Sequence, residues 1–173
     1  TICLQRPEVR NAFQPQMISE LTHAFKSAGK DKAIDIVIIR GDGSSFCAGA
    51  DLDWMKSMVK FSKAQNLKDS QQLFEMFQSA QTCFKPIIGV MQGHVMGGGL
   101  GLAAICDFAC AEENTQFCFS EVKLGLVPAV ISSFVLKKMP EAQALRWMLL
   151  AEVFSAAEAK DSGLVSFVGT STQ

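Results

Sequence analysis

Gly97, Gly98 and Gly99 run straight into an apolar helix pattern in "MGGGLGLAAICDFACA", and Gly101 follows one turn further in. Glycine is a poor helix former, so three in a row at a helix start need a reason. One reason is a tight strand-to-helix turn, and a GGG alone favours it. Another is close approach of a ligand to the backbone N–H groups of a helix N-terminus, where unpaired donors and partial positive charge coincide. A second segment, "FCAGADL" from Phe46 to Leu52, also follows an apolar strand pattern and places small residues where a helix begins. Parallel sheets bind ligands at the carboxyl ends of their strands. Two such loops there could each aim one N–H at a single oxygen. That is oxyanion-hole chemistry, the stabilisation of negative charge developing on a carbonyl.

Other residue types offer less. His94 stands between a strand pattern and the glycines, where a lone histidine is more often a structural hydrogen-bonding group than a base. His23 falls on the polar side of an amphipathic helix. Cys47 and Cys118 flank the proposed site, with nothing nearby to lower a thiol pKa. Ser120 has no indicated base, so a Ser–His–Asp triad is not supported. Arg6, Arg10 and Lys56 are the cations best placed by sequence to reach an anionic ligand, although solvated surface charge is the commoner role for each. Trp54 and Met58, just after the second loop, either line a pocket or pack.

The elements that must position these residues follow from periodicity. "PQMISELTHAFKSAG" puts Met17, Ile18, Leu21, Ala24, Phe25 and Ala28 on one helical face, with Pro15 in the first turn and Gly29 as the stop. Ile34 to Ile39 and the segment entered through Pro86 read as buried strands. Asp51 or Asp53 is placed to start a short helix. Gln65 to Cys83 reads as a helix with Leu73, Met76, Phe77 and Ala80 as its stripe. The glycine helix spans about Gly98 to Cys106. Short strands follow at Phe108–Ala111 and Gln116–Phe119, then helices near Val130–Lys138 and Glu141–Ala151. Ser155 and Glu158 form a capping-box pattern, Gly163 is a stop, and "LVSFV" is a last strand. Strands alternate with helices, which predicts an α/β class with a largely parallel sheet and one domain.

Composition narrows the function classes. The 173 residues are 49% hydrophobic, which argues for a filled core and against disorder. The net charge is −1, with no block of one sign, so nothing marks a nucleic-acid or anionic-membrane surface. No apolar run is long enough to span a bilayer, and no signal peptide is visible. Six cysteines without a CxxC pair and two histidines argue against zinc and for a reducing, cytoplasmic setting.

"SSFCAGADL", followed by "KPIIGVMQGHVMGGGLGLAAICDFACAEENTQFCFSEVKLGLVPA", resembles the enoyl-CoA hydratase/isomerase (crotonase) family. The likeness runs from the first residues to about Val168. Its specificity comes from the paired loops together with the CD-x-x-x-A and F-x-x-x-E-x-x-x-G-x-x-P segments. The resemblance implies a crotonase-like spiral of ββα units with a mostly parallel sheet. It implies one such domain over 1–173, without the family's extreme N-terminus and C-terminal helices. It also implies an acyl-CoA substrate that brings coenzyme A with it, no separate cofactor or metal, and a homotrimer or dimer of trimers. By motif position, the thioester oxygen would lie between the N–H groups of Ala50 and Gly98. The adenine end would lean on backbone around Ala48, Asp51 and Leu52.

Typical hydratases of the family carry one glutamate where this chain has Gly101 and a second where it has Glu121. Glu121 either caps a turn at the surface or acts as the acid–base group. Its apolar context "FCFSEVKLGLVP" favours the second, since desolvation raises a carboxyl pKa toward usable values. Gly101 is expected to leave room for a water or a bulkier acyl group. The departure, with "FSEVKLGLVPAVISSFV", looks most like members acting on branched glutaconyl-type thioesters, the methylglutaconyl-CoA hydratase-like group of leucine breakdown. A hydratase or dehydratase, a double-bond isomerase, and a non-catalytic acyl-CoA-binding or scaffold protein remain open. Retention of Glu121 and both loops weighs against the last.

Overall fold

The computed structural model describes residues 1–170. Its main sheet holds five parallel strands: β1 (Ile2–Leu4), β2 (Val37–Gly41), β3 (Ile87–Met91), β5 (Phe108–Glu112) and β8 (Phe167–Gly169), in the spatial order β1-β2-β3-β5-β8. A smaller sheet holds β4 (His94–Met96), β6 (Gln116–Cys118) and β7 (Phe154–Ser155), with β4 parallel and β7 antiparallel to β6. Neither β4 nor β7 is visible in the sequence pattern. Strands of three and two residues are too short for alternation to register.

Among the described residues, seven α-helices connect the strands: α1 (Pro15–Lys30), α2 (Leu52–Met58), α3 (Lys63–Gln81), α4 (Gly98–Ile105), α5 (Ala129–Val135), α6 (Glu141–Leu150) and α7 (Ala156–Asp161). In α1, Met17, Ile18, Leu21, Phe25 and Ala28 are buried, as the stripe predicts. Gly29 is not the stop. It lies inside α1 because a Cβ there would come 2.7 Å from the Cys83 carbonyl oxygen. The helix ends instead where Asp31 turns extended. A capping box from Ser62 to Gln65 starts α3 two residues earlier than the stripe suggests, and the expected Ser155–Glu158 box opens α7.

The strand expectation needs a correction. β2 is not buried on both faces: Val37, Ile39 and Gly41 are buried, while Ile38 and Arg40 are exposed. The register sets Ile38, Ile88 and Phe108 in one outward row, and Arg40, Val90, Cys110 and Phe167 in the next. The helix-covered face carries the core residues Ile39, Met91, Ala109 and Ala111. The outer face keeps Val90 43%, Phe108 49% and Phe167 58% exposed, unlike the usual parallel sheet with both faces covered. Among the described residues, no helix is long and apolar enough to cross a membrane.

Candidate active site

The loop from Phe46 to Asp51 is zipped between two neighbours. The Cys47 N–H donates to the His94 carbonyl and its own carbonyl accepts from Met96, bridging Cys47 to Val95 in β4. Two residues on, the Phe13 N–H donates to Gly49 and Asp51 donates to Phe13, which bridges Phe13 to Ala50. Because the Gly49 carbonyl points at Phe13, the trans peptide bond that follows turns the Ala50 N–H to the other side. Asp51 caps α2, accepting from the N–H groups of Asp53 and Trp54. Its other oxygen takes a 3.0 Å ion pair from Arg6, whose guanidinium also donates to the Ala12 carbonyl. The Arg6 hydrogen bond holds the Asp51 carboxyl below its ordinary pKa. Arg6 therefore ties the loop down rather than reaching outward.

Asn11 is a positioning residue the pattern did not flag. Fully buried, it donates from Nδ2 to the carbonyls of Asp42 and Ser45, both at 2.8 Å, and its Oδ1 accepts from the Arg6 N–H. Its backbone is left-handed, φ 55°, a region asparagine tolerates better than most residues.

The three glycines each answer a different neighbour. Gly97, the N-cap of α4, has φ 47° and ψ −117°, a conformation that disfavours any side chain. A Cβ on Gly98 would meet the Phe13 ring at 2.7 Å, and one on Gly99 would meet the Cys47 carbonyl at 2.7 Å. The two loops adjoin, because a Cβ on Gly49 would lie 3.0 Å from the Met96 oxygen and 3.6 Å from the Gly97 Cα. As the first residue of α4, Gly98 has an N–H with no acceptor inside the helix.

Glu121 enters from β6 through the buried Phe119 and opens a single 3-10 turn, Glu121–Leu124. The Leu126 N–H donates to its carbonyl, and Gly125 closes the turn in the left-handed region. Its Oε1 lies 3.2 Å from where a Gly97 side chain would begin, and its Oε2 is buried without a hydrogen-bond partner. Burial pushes the carboxyl pKa up. Free N–H donors in adjoining turns suit an oxygen taking on negative charge, and a desolvated carboxyl suits proton transfer.

The space expected over Gly101 is filled. A Cβ there would lie 2.5 Å from the Phe77 ring and 2.7 Å from Ile131, so the position neither opens a hole nor admits a carboxylate. Gly101 thus serves close packing of α4 against Phe77 and Ile131, not a wider pocket. Ala48 is half-buried with its N–H bonded to the Arg10 carbonyl, whereas Leu52 is 63% exposed. Trp54 packs half-buried against the core with its Nε1 unpartnered. His94 stands 3.3 Å from the Ser45 hydroxyl, a structural contact. Burial drives the Cys47 thiol up to about 12 and raises Cys118 as well, so neither is a nucleophile at neutral pH. A cavity of about 800 Å³ lies elsewhere, lined by Gln81, Ile105, Asp107, Lys137 and Lys138. It lies at the carboxyl ends of α3 and α4, and none of the residues of the Ala50 and Gly97 turns lines it.

The Enoyl-CoA hydratase/isomerase family model matches residues 1–173. The chain belongs to the enoyl-CoA hydratase/isomerase family. A Legionella pneumophila crystal structure provisionally described as an enoyl-CoA hydratase/isomerase (crotonase) superposes with a TM-score of 0.95 at 41% identity, covering 97% of this chain and 65% of that one. The (E)-benzylidenesuccinyl-CoA hydratase of Thauera aromatica is 32% identical, with 96% of this chain and 64% of the relative aligned. The 2,3-dehydroadipyl-CoA hydratase of Escherichia coli is 31% identical over the same shares, 96% and 64%. The chain thus spans just under two thirds of these enoyl-CoA hydratase/isomerase relatives. The fold is the crotonase fold, a mixed α/β arrangement around a mainly parallel sheet.

Proposed function

We propose that the protein is an acyl-CoA hydratase or dehydratase, working through an oxyanion hole and a single carboxyl. The observation that carries this is the half-buried Glu121 carboxyl beside the Gly97 turn, with its Oε2 buried and without a hydrogen-bond partner. In this reading the N–H groups of Ala50 and Gly98 hold the thioester oxygen, with Ala48, Asp51 and Leu52 along the coenzyme A path and Trp54 near the acyl chain. Water bonds to the β-carbon while the Glu121 carboxylate takes one of its protons. The π pair of the double bond moves onto the thioester as an enolate, which the two N–H donors stabilise. Glu121 then delivers its proton to the α-carbon. One H and one OH are added, and Glu121 returns to its starting state. Coenzyme A arrives with the substrate, and no further cofactor is required.

For the acyl group we propose a branched glutaconyl-type thioester. Support comes from the sequence likeness around Glu121, and from two relatives whose names denote hydratases of thioesters that keep a second carboxylate. The filled space at Gly101 gives it no support. One observation favours a second reading, double-bond isomerisation: with position 101 closed, Glu121 is the single carboxyl identified at the turn, and one base suffices to move a proton between carbons. All six cysteines are free thiols, which supports a reducing compartment such as the cytoplasm.

Glu121→Gln in the full-length protein tests the assignment. Gln keeps the size but cannot exchange a proton at neutral pH. Acyl-CoA binding should persist, while kcat falls by roughly 10²–10⁴-fold, the usual weight of a general acid–base group. Turnover of a panel of enoyl-CoA esters, followed by loss of the enoyl thioester absorbance, reads it out. Unchanged activity in Glu121→Gln overturns the assignment. Binding without turnover in the wild type identifies a scaffold.

A further inference from the structure

We propose that the Ser120 hydroxyl is the second group that holds the reacting water, in place of the carboxylate missing at position 101. This rests on the hydratase reading. A water that must attack one carbon from one direction needs two fixed partners, and a lone carboxyl supplies one. Position 101 is closed by Phe77 and Ile131, so the second partner has to come from another border of the turn. Two side-chain oxygens face the bare side of Gly97. Its absent Cβ would lie 3.2 Å from Glu121 Oε1 and 3.5 Å from Ser120 Oγ.

The hydroxyl is not spent elsewhere. Ser120 stands at the N-cap of the Glu121–Leu124 turn but makes no capping hydrogen bond there. The serines at 57, 70, 79, 132, 133 and 162 all bond a carbonyl three or four residues back, and Ser62 and Ser155 cap helices. Ser120 is only half-buried, so its hydroxyl can reach a solvent molecule, and it adjoins a carboxyl whose Oε2 is itself without a partner. A hydroxyl both donates and accepts, so it can orient a water without competing for its proton. The carbonyl of Gly97 is already committed to the Leu100 N–H.

The role separates two reactions of one site. Hydration needs the water; exchange of an α-proton needs only Glu121 and the donors at the thioester oxygen. In the full-length protein, Ser120→Ala should lower kcat for hydration about 10-fold, the weight of one hydrogen bond to a reacting group, with KM little changed. Hydration is read with crotonyl-CoA and with 3-methylglutaconyl-CoA. Deuterium uptake from D₂O into butyryl-CoA, the exchange readout, should be unaltered. Ser120→Thr keeps the hydroxyl and should retain most hydration. The melting temperature of Ser120→Ala should stay near wild type, since no bond within the chain is lost. Wild-type hydration in Ser120→Ala overturns the Ser120 role while leaving the hydratase reading intact. Equal loss of hydration and exchange also overturns it, because that marks a structural defect. A wild type that exchanges or isomerises but hydrates neither thioester overturns both.

Discussion

Glu121 and Asp51 sit on neighbouring loops and respond to pH in opposite senses. Burial raises the Glu121 pKa, so the folded protein keeps that proton to a higher pH than the unfolded chain does. Above the unfolded value, about 4.3, this group's contribution to stability falls as pH rises, until the folded pKa is passed. Glu121→Gln is therefore expected to raise the melting temperature at pH 7 and to give no gain below about pH 4. Thermal melts at the two pH values check it, and a lower melting temperature at pH 7 contradicts an uncompensated carboxylate. Asp51 runs the other way. Arg6 lowers its pKa, so its contribution is complete above the unfolded value and is lost as pH falls through the folded one. Arg6→Ala should leave α2 with its Asp51 cap, shrink that acid-side loss, and weaken acyl-CoA binding by freeing the Ala50 loop.

At the scale of the element, α4 is a helix whose glycines are set by its neighbours. Its burial is nearly complete from Gly99 to Ile105, with α3 and α5 pressing on the Gly101 side. Gly101→Ala gains about 1 kcal/mol in helix propensity. It also drives a methyl to within 2.5 Å of a ring that already packs against Phe134 with centroids 5.2 Å apart. Overpacking of this kind costs about 1–3 kcal/mol, so the variant should be less stable by urea unfolding. Shortening the ring with Phe77→Leu in the same chain should recover part of the loss. For the same reason Gly101→Glu should not restore a two-carboxylate site. The expectation of vacant space there failed because a missing side chain reveals nothing about which neighbours have closed over it.

For the whole molecule, the uncovered face of the main sheet is the largest departure from a self-contained fold. Ile38, Val90, Phe108 and Phe167 lie on adjacent outward rows, with the two rings 6.5 Å apart. A second exposed apolar group, Leu124, Leu126, Val127, Leu149 and Leu150, flanks the Glu121 turn and the end of α6. Contiguous apolar patches of this kind mark contact surfaces. We propose that the full-length protein assembles as a homotrimer or a dimer of trimers. Multi-angle light scattering should give a mass three or six times that of the chain, and a stable monomer contradicts it. Leu149→Lys with Leu150→Lys should lower that mass if the α6 end lies in the contact.

Local chemistry written into adjacent residues was legible without a structure. The α1 stripe, the Ser155–Glu158 box and the strand-to-helix turn at Gly97 each depend on neighbours a few positions away, and the chain states those directly, while the cap of α2 was narrowed only to Asp51 or Asp53. The apolar stretch around Glu121 is a poorer guide: Phe117 to Phe119 are buried before it, while Val122, Leu124, Leu126 and Val127 after it are exposed. What the tertiary structure alone decided were relations between distant segments. Phe13 stands against Gly98, Phe77 and Ile131 close over Gly101, Arg6 turns inward to Asp51, and Ser120 comes to face Gly97 beside Glu121. The one-sided sheet belongs with these, because an apolar strand reads alike whether one face is covered or two. Periodicity records which residues avoid water, and only packing fixes what they meet instead.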